Sequence, residues 1–310
     1  TPLYSSAASD VYKRQGMRVC VIGAGVVGVT SAYFLARQGH DVVLVDAHAY
    51  PAEVSSYANG GQLSYSYVAP LAGPGVLPSV PGWLLRNDSP LRFRPRLDPH
   101  QWRWSLQFAL ACRASVARDS TAQLLALSYL SRDAMHTLLD QENLEFGHLK
   151  NGKLIAYRSA ALLDKARALV AYQAAHGSDQ QVLDAAQTLA REPALAGMGA
   201  SLAGAIYTPS EEAGDCRQFT QALFDRLQGL ANVQCAMSNP VSGLQREGRR
   251  IVAVHTRDGD IGADAIVLAT GIGTRDLLRP LGHDVPLYPL KGYSLTAVSY
   301  THLTLPTNRE

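Results

Sequence analysis

The clearest pattern along the chain is an apolar run punctuated by evenly spaced glycines. Arg18–Ile22 reads RVCVI, a short β-branched run that suits a buried strand. Gly23-Ala24-Gly25-Val26-Val27-Gly28 comes next. Behind it Val29, Ala32, Tyr33 and Ala36 recur at helical spacing as far as Gln38, and Gly39 supplies the stop. Asp41–Asp46 is a second strand, with an apolar VVLV stretch ending in a carboxylate. Strand, glycine turn, helix and strand together open a doubly wound α/β unit.

Each glycine answers a separate demand. Gly23 permits the tight turn, Gly25 lets the backbone approach a pyrophosphate, and Gly28 lets helix and strand pack closely. The helix start offers free N–H groups and a positive dipole to phosphate. Asp46 lies 18 residues after Gly28, where an acid that binds ribose hydroxyls is expected. A secretory leader would also be apolar here. Arg18 is its sole leading charge, however, and three regular glycines interrupt the stretch.

The residues after Asp46 discriminate between nucleotides. A nicotinamide-type half would continue with helix and strand within a few tens of residues. Instead Ala47–Pro81 is rich in Ser, Tyr, Gly and Pro and reads as a long functional loop. The next strong parallel-type strand is Ala265–Ala269, ending in Thr270-Gly271 before a short helix at Thr274–Leu278. A dinucleotide fold split by a large insertion is a flavoprotein pattern.

The middle of the chain alternates between the two periods. Gln101–Asn143 predicts two helices broken near Arg118–Ser120, with Ser120 as a cap. Lys153–Tyr157 predicts a strand, Ser159–Ala175 a helix ended by Gly177, and Val182–Ala190 another helix. Ala205–Tyr207 predicts a strand, Thr208–Asp215 a loop, and Arg217–Leu230 a helix. Leu244–Glu247 and Ile251–Thr256 form a hairpin around Gly248, with a second turn at Asp258-Gly259. The expected class is therefore α/β: a Rossmann-like domain split by an inserted mixed α+β substrate domain. The expected divisions are 17–80 for the first part of the nucleotide domain, 81–200 mainly for the insert, 201–280 for the second part, and 281–298 for the start of a further substrate-domain sheet.

Composition narrows the chemistry. Of 310 residues 47% are hydrophobic and 17% charged, which argues for a folded core and against disorder. A net charge of +2 gives no general pull toward nucleic acid. Cys20, Cys112, Cys216 and Cys235 lack zinc or redox spacing, and the nine histidines show no metal spacing; His40, His48 and His283 read as loop residues. The sparse cysteines suit a reducing compartment. Glu211, Glu212 and Asp215 cluster in one loop. Acid–base work is one reading of them, and a solvated face or a helix cap is another, so no catalytic role is assigned. Trp83, Trp102 and Trp104 fall among Arg86, Arg92, Arg94, Arg96 and Arg103, against Asp88 and Asp98, a local balance of +3. Such a patch suits a membrane surface; its alternative is a core-edge cluster with cation–π stacking.

The stretches VIGAGVVGVTSAYFLARQGHDVVLVD, SSYANGGQLSYSYVAP, EEAGDCRQFT, LATG, LLRPLG and VPLYPLKGYSLT resemble bacterial FAD-dependent D-amino-acid dehydrogenases, within the wider group of D-amino-acid, glycine and sarcosine oxidases. The resemblance implies FAD as cofactor. It implies a pyrophosphate turn of Val21, Ile22, Gly23, Ala24, Gly25, Val26, Val27 and Gly28, with Asp46 and Ala47 at the ribose. Ala58, Asn59, Gly60, Gly61 and Gln62 would pass beside the isoalloxazine; without the family they read as a surface turn. Val241 would meet the adenine side through its backbone, or else serve as a strand residue. Thr270 and Gly271 would lie beneath the phosphate–ribityl chain.

The implied activity is oxidative deamination of a D-amino acid, D-alanine-like, to a 2-oxo acid and ammonia. Electrons would go to a quinone-linked respiratory acceptor, from a cytoplasmic protein with peripheral contact to the inner face of the plasma membrane. No catalytic residue is assigned; Lys291 and Tyr293 are candidates for holding the substrate carboxylate. An oxygen-using glycine or sarcosine-type oxidase and an inactive flavin-binding fragment are the alternatives. Residues 1–16 and 299–310 lack either period and resemble translated adaptor sequence. The expectation is a natural chain that starts at Met17 and continues past Val298.

Overall fold

A computed structural model describes residues 16–78, 80 and 95–289. Nearly all of both unpatterned tails, Trp83, Arg86, Asp88, Arg92, Arg94, Lys291 and Tyr293 lie outside the described residues.

Strand β1 (Arg18–Ile22) pairs in parallel with β2 (Asp41–Val45) through helix α1 (Val26–Arg37). Two later strands complete the sheet: β8 (Val233–Ala236) beside β2 and β12 (Ala265–Leu268) beside β1, in the order β12-β1-β2-β8, all parallel. Parallel strands are covered on both faces, which is why β1 and β2 read as unbroken apolar runs. The pleat sorts their side chains. Val19 and Val21 face α1 and helix α6 (Cys216–Gln228), packing with Val29, Tyr33, Phe219, Leu223 and Leu227. Cys20 and Ile22 face the other way, onto Val254. Val254 belongs to the antiparallel layer β9 (Val241–Glu247), β10 (Arg250–Thr256) and β11 (Gly259–Gly262).

The insertion has a sheet of its own. β4 (Lys153–Tyr157), β6 (Gly204–Thr208) and β5 (Gln181–Asp184) are antiparallel, with β6 central. Helices α4 (Ala160–Ala174) and α5 (Ala185–Arg191) pack on it, whereas α2 (Pro99–Ala111) and α3 (Ala114–Gln141) precede it in the chain and Leu138 of α3 joins the core of the parallel sheet. A two-stranded ribbon, β3 (Gln62–Leu63) with β7 (Glu212–Ala213), lies where the insertion leaves and rejoins the nucleotide half. Strand pairing puts Gly204–Thr208 with the insert sheet, so α6 is the first element back on the parallel sheet.

Several expectations need correction. The helical break falls at Cys112–Arg113, and Ser120 lies inside α3; the cap residue is Asp98, whose carboxylate accepts from the His100 amide at the start of α2. Val182–Asp184 is strand, because Asp184 ends β5 and caps α5 in a capping box with Gln187. The loops at Ala47–Pro81 and Thr208–Asp215 contain β3 and β7. Val233–Ala236 carries no sequence signal of its own: VQCA is too short and too mixed to stand out, and parallel pairing with β2 makes it a strand.

Candidate functional site

The carboxyl ends of β1, β2, β8 and β12 meet at one edge of the sheet, and four loops gather there. In open α/β sheets this crevice is where ligands bind. Gly23 has φ +105° and donates its amide to the Val45 carbonyl at 2.8 Å. A Cβ on Gly23 would stand 2.6 Å from the Ala269 oxygen, and one on Gly28 would overlap the Gly23 carbonyl oxygen. Both glycines are therefore obligatory for the turn. Gly25 is the residue before α1 and makes no side-chain cap. The Val26 amide donates to Ser56 Oγ at 3.0 Å, while those of Val27 and Gly28 have no partner among the described residues. Free first-turn amides beside a side-chain-free residue fit a diphosphate.

Asp46 braces this turn. Its Oδ2 accepts from the Ala24 amide at 2.7 Å, and its Oδ1 from the His48 amide at 2.7 Å and ring Nδ1 at 2.9 Å. A carboxylate has about four lone-pair sites, so capacity for ribose hydroxyls remains. Ala47 is the next residue. Backbone bonds from Ser238 to His48 and from Asn239 to Asp46, both 2.8 Å, bring the end of β8 alongside. Val241 then opens β9, pairs with Thr256 and packs on the Cys20–Val45 cluster. Thr270 adjoins Gly23 and exchanges a 2.9 Å hydrogen bond with Thr274, while Gly271 has φ +54°.

Ala58–Gln62 is tied into the fold. Gly61 has φ +59°, donates its amide to Asn59 Oδ1 at 2.9 Å and accepts at its carbonyl from the Gly214 amide at 2.8 Å. Gln62 pairs with Ala213. A Cβ on Gly60 would meet nothing within 4 Å, so its backbone borders open space. Ser56, a buried residue that sequence reasoning missed, links this segment to the glycine turn.

The acidic cluster divides into three roles. Asp215 caps α6 through the Gln218 amide at 2.9 Å. Glu211 is 1% exposed, and its Oε1 takes the amides of Tyr65, Ser66 and Tyr67 at 2.8, 2.7 and 3.2 Å. Glu212 is buried between His136 of α3 and His148, each 2.7 Å away. Burial pushes its carboxyl up, but the hydrogen bonds from His148 and His136 outweigh it and hold the group below the usual range. A solvated face is thus corrected for both glutamates. Beside them, burial and the Glu212 carboxylate push the Tyr65 hydroxyl strongly upward. Among the described residues no group of three or more His, Cys, Asp or Glu could hold a metal.

Residues 18–309 match the family model described as FAD dependent oxidoreductase. The chain belongs to that family. It is 52% identical over 281 residues to D-amino acid dehydrogenase 2 of Ralstonia nicotianae, covering 90% of this chain and 66% of the relative. With D-amino acid dehydrogenase 2 of Pseudomonas aeruginosa identity is 48% over 280 residues, again 90% and 66%. The chain therefore spans just under two thirds of the curated relatives' length. Among solved structures, glycine oxidase from Bacillus cereus gives a TM-score of 0.56 at 18% identity, covering 85% of this chain and 58% of the other. L-amino acid deaminase from Proteus vulgaris gives 0.61 at 16%, covering 87% and 51%. At that identity the likeness is one of fold. The family uses FAD, and the glycine cradle with its free amides fits the diphosphate of that cofactor.

Proposed function

We propose that this protein is an FAD-dependent D-amino-acid dehydrogenase, acting on small D-amino acids such as D-alanine. The observation that carries this reading is the 52% identity to a relative of that name. The glycine-oxidase likeness, at 18% identity, lends the alternative no comparable support.

In this reading Val21–Gly28 hold the diphosphate, with the amides of Val27 and Gly28 as donors. Asp46, with Ala47, receives the adenosine ribose, and Val241 borders the adenine. Thr270 and Gly271 support the ribityl chain, and Ala58–Gln62 flank the isoalloxazine, where Gly60 leaves room for close approach. FAD supplies a two-electron acceptor for the hydride on the substrate Cα. The protein's part is to bind the amino acid with its amine neutral and to hold Cα in line. The net change converts amino acid and water into 2-oxo acid and ammonia, and releases two electrons and two protons to a quinone-linked acceptor.

Peripheral membrane contact at a cytoplasmic surface is part of the proposal. Its support is an exposed stripe on α2, where Trp102, Leu106 and Leu110 succeed one another at helical spacing. Trp104, by contrast, stacks on Phe108 at 5.2 Å and tilts on Tyr288 at 5.3 Å, while Arg103 pairs with Asp284 at 2.7 Å. Among the described residues no helix is long and apolar enough to cross a membrane.

The test is anaerobic. FAD-loaded protein should lose its oxidised-flavin colour with D-alanine but not with L-alanine, and regain it when a soluble ubiquinone analogue is added. Bleaching by glycine or sarcosine alone, with peroxide formed on admitting oxygen, would replace this reading with the oxidase one. Protein that takes up no flavin would point to the inactive fragment.

A further inference from the structure

Lys153 is a half-buried cation with no ion-pair contact among the described residues. It opens β4, opposite Thr208 of β6, where the insert sheet meets the segment after β3. Its ammonium donates to Ser64 Oγ at 3.3 Å and lies 4.1 Å from the centre of the Tyr67 ring. Among the described residues no carboxylate lies within ion-pair distance of it. An ammonium has three donors, and one hydrogen bond leaves two available. Glu211 is near enough to act on the charge electrostatically, but spends one oxygen on three successive amides. Those bonds fix residues 65–67, and with them the ring that faces Lys153.

The location matters more than the charge. Ser64 comes three residues after Gly61, a span of about 10 Å for extended chain. Through Ser64, Lys153 therefore stands within a three-residue reach of the backbone proposed to flank the isoalloxazine. Tyr67 is 44% exposed, so the position is open on one side. Charges taken partly out of water are ordinarily paired; here, among the described residues, Glu211 acts on the ammonium electrostatically and no carboxylate touches it.

We propose that the Lys153 ammonium binds a carboxylate of the substrate. Burial lowers the amine's proton affinity, and Glu211 opposes that. An arriving carboxylate would supply the compensation that Ser64 and Tyr67 give only in part. The carboxylate can be the one on Cα or one carried by an acidic side chain.

This inference rests on the dehydrogenase reading, and the experiment separates the two. FAD-loaded wild type, Lys153→Met and Lys153→Arg are titrated with benzoate by calorimetry, alongside the change benzoate induces in the flavin spectrum. Lys153→Met should weaken benzoate at least about tenfold, the size of a lost charged hydrogen bond. Lys153→Arg should restore most of the affinity. Wild-type binding should weaken with added salt and the Met variant's should not. KM for D-alanine and D-aspartate locates the group. A rise for both, with kcat little changed, assigns the Cα carboxylate, and a rise for D-aspartate alone assigns the side-chain carboxylate. In folded Lys153→Met, unchanged benzoate affinity together with an unchanged KM for both D-alanine and D-aspartate overturns the proposal. Wild type that D-alanine fails to bleach sinks the dehydrogenase reading, and benzoate still reports on Lys153.

Discussion

β1 and β2 each expose only their first residue and bury the other four, whereas none of the five residues of β4 is buried. The helices repeat the contrast. α6 buries five of its 13 residues, and α2, equally long, buries Gln101. The nucleotide half closes its core around the parallel sheet, with Leu138 and Phe146 of the insertion packed into it. The insertion leaves helix faces and a strand open, and its sheet is buried chiefly along central β6. One half holds its backbone at the sheet edge by dense packing; the other buries less of each element.

Two glycines can break this comparison. Gly28→Ala sets a Cβ into the Gly23 carbonyl, backbone against backbone, so relief requires moving α1 off β1. A cost of about 3 kcal/mol or more is expected, with loss of bound flavin. Gly60→Ala meets nothing within 4 Å and has no positive φ, so its melting temperature should barely move. If Gly60 flanks the isoalloxazine, flavin affinity should still fall. Calorimetric melting and the flavin-to-protein absorbance ratio of both variants give the answer. Equal stability in the two would mean that the turn is not packed as described.

Glu212 sits on the seam between the halves and predicts a smaller, pH-dependent effect. Its carboxylate joins β7 to α3 through His136 and to the loop after α3 through His148. Because its folded pKa is depressed, its stabilisation is fully present above the ordinary value near 4.5 and fades as pH falls through the folded one. Glu212→Gln should cost about 2 kcal/mol at neutral pH. Urea melts of both proteins at a series of pH values should show the gap narrowing only in the acid range. A gap that widened on acidification would contradict the assignment.

Legibility in the sequence divides along the same line. RVCVI, the glycine turn and VVLV are legible because a strand buried on both faces must be apolar throughout and a tight turn must be glycine. Thr274–Leu278 is helix as expected, and Lys153–Tyr157 strand. The break at Cys112–Arg113 was not legible, since neither residue is a strong breaker; nor was β5, whose QVLD carries one period of alternation. Ser56 and Glu211 act at long range. Ser56 caps a helix 30 residues earlier, and Glu211 holds amides about 145 residues away, so no local pattern announces either. Their signal was residue type alone, a serine and an acid in loops.

The smallest stability change belongs to the α2 stripe, and it is the one that sharpens the membrane proposal. Leu106 and Leu110 are 62% and 45% exposed, so Leu106→Ser with Leu110→Ser removes little buried area. The melting point should shift by no more than about 0.5 kcal/mol per site allows. Leu223, fully buried between α6 and the sheet, should cost about 2–5 kcal/mol as Leu223→Ala on the usual scale for core leucines, well above the effect of a surface site. Against that silent background, co-sedimentation with anionic phospholipid vesicles isolates the face itself. Exposed leucines flanked by Trp102 should contribute apolar insertion, so the double serine variant should leave the vesicle pellet while keeping its flavin and fold. Undiminished pelleting would assign any membrane contact to another surface, and a large melting shift would show that this face is covered within the protein.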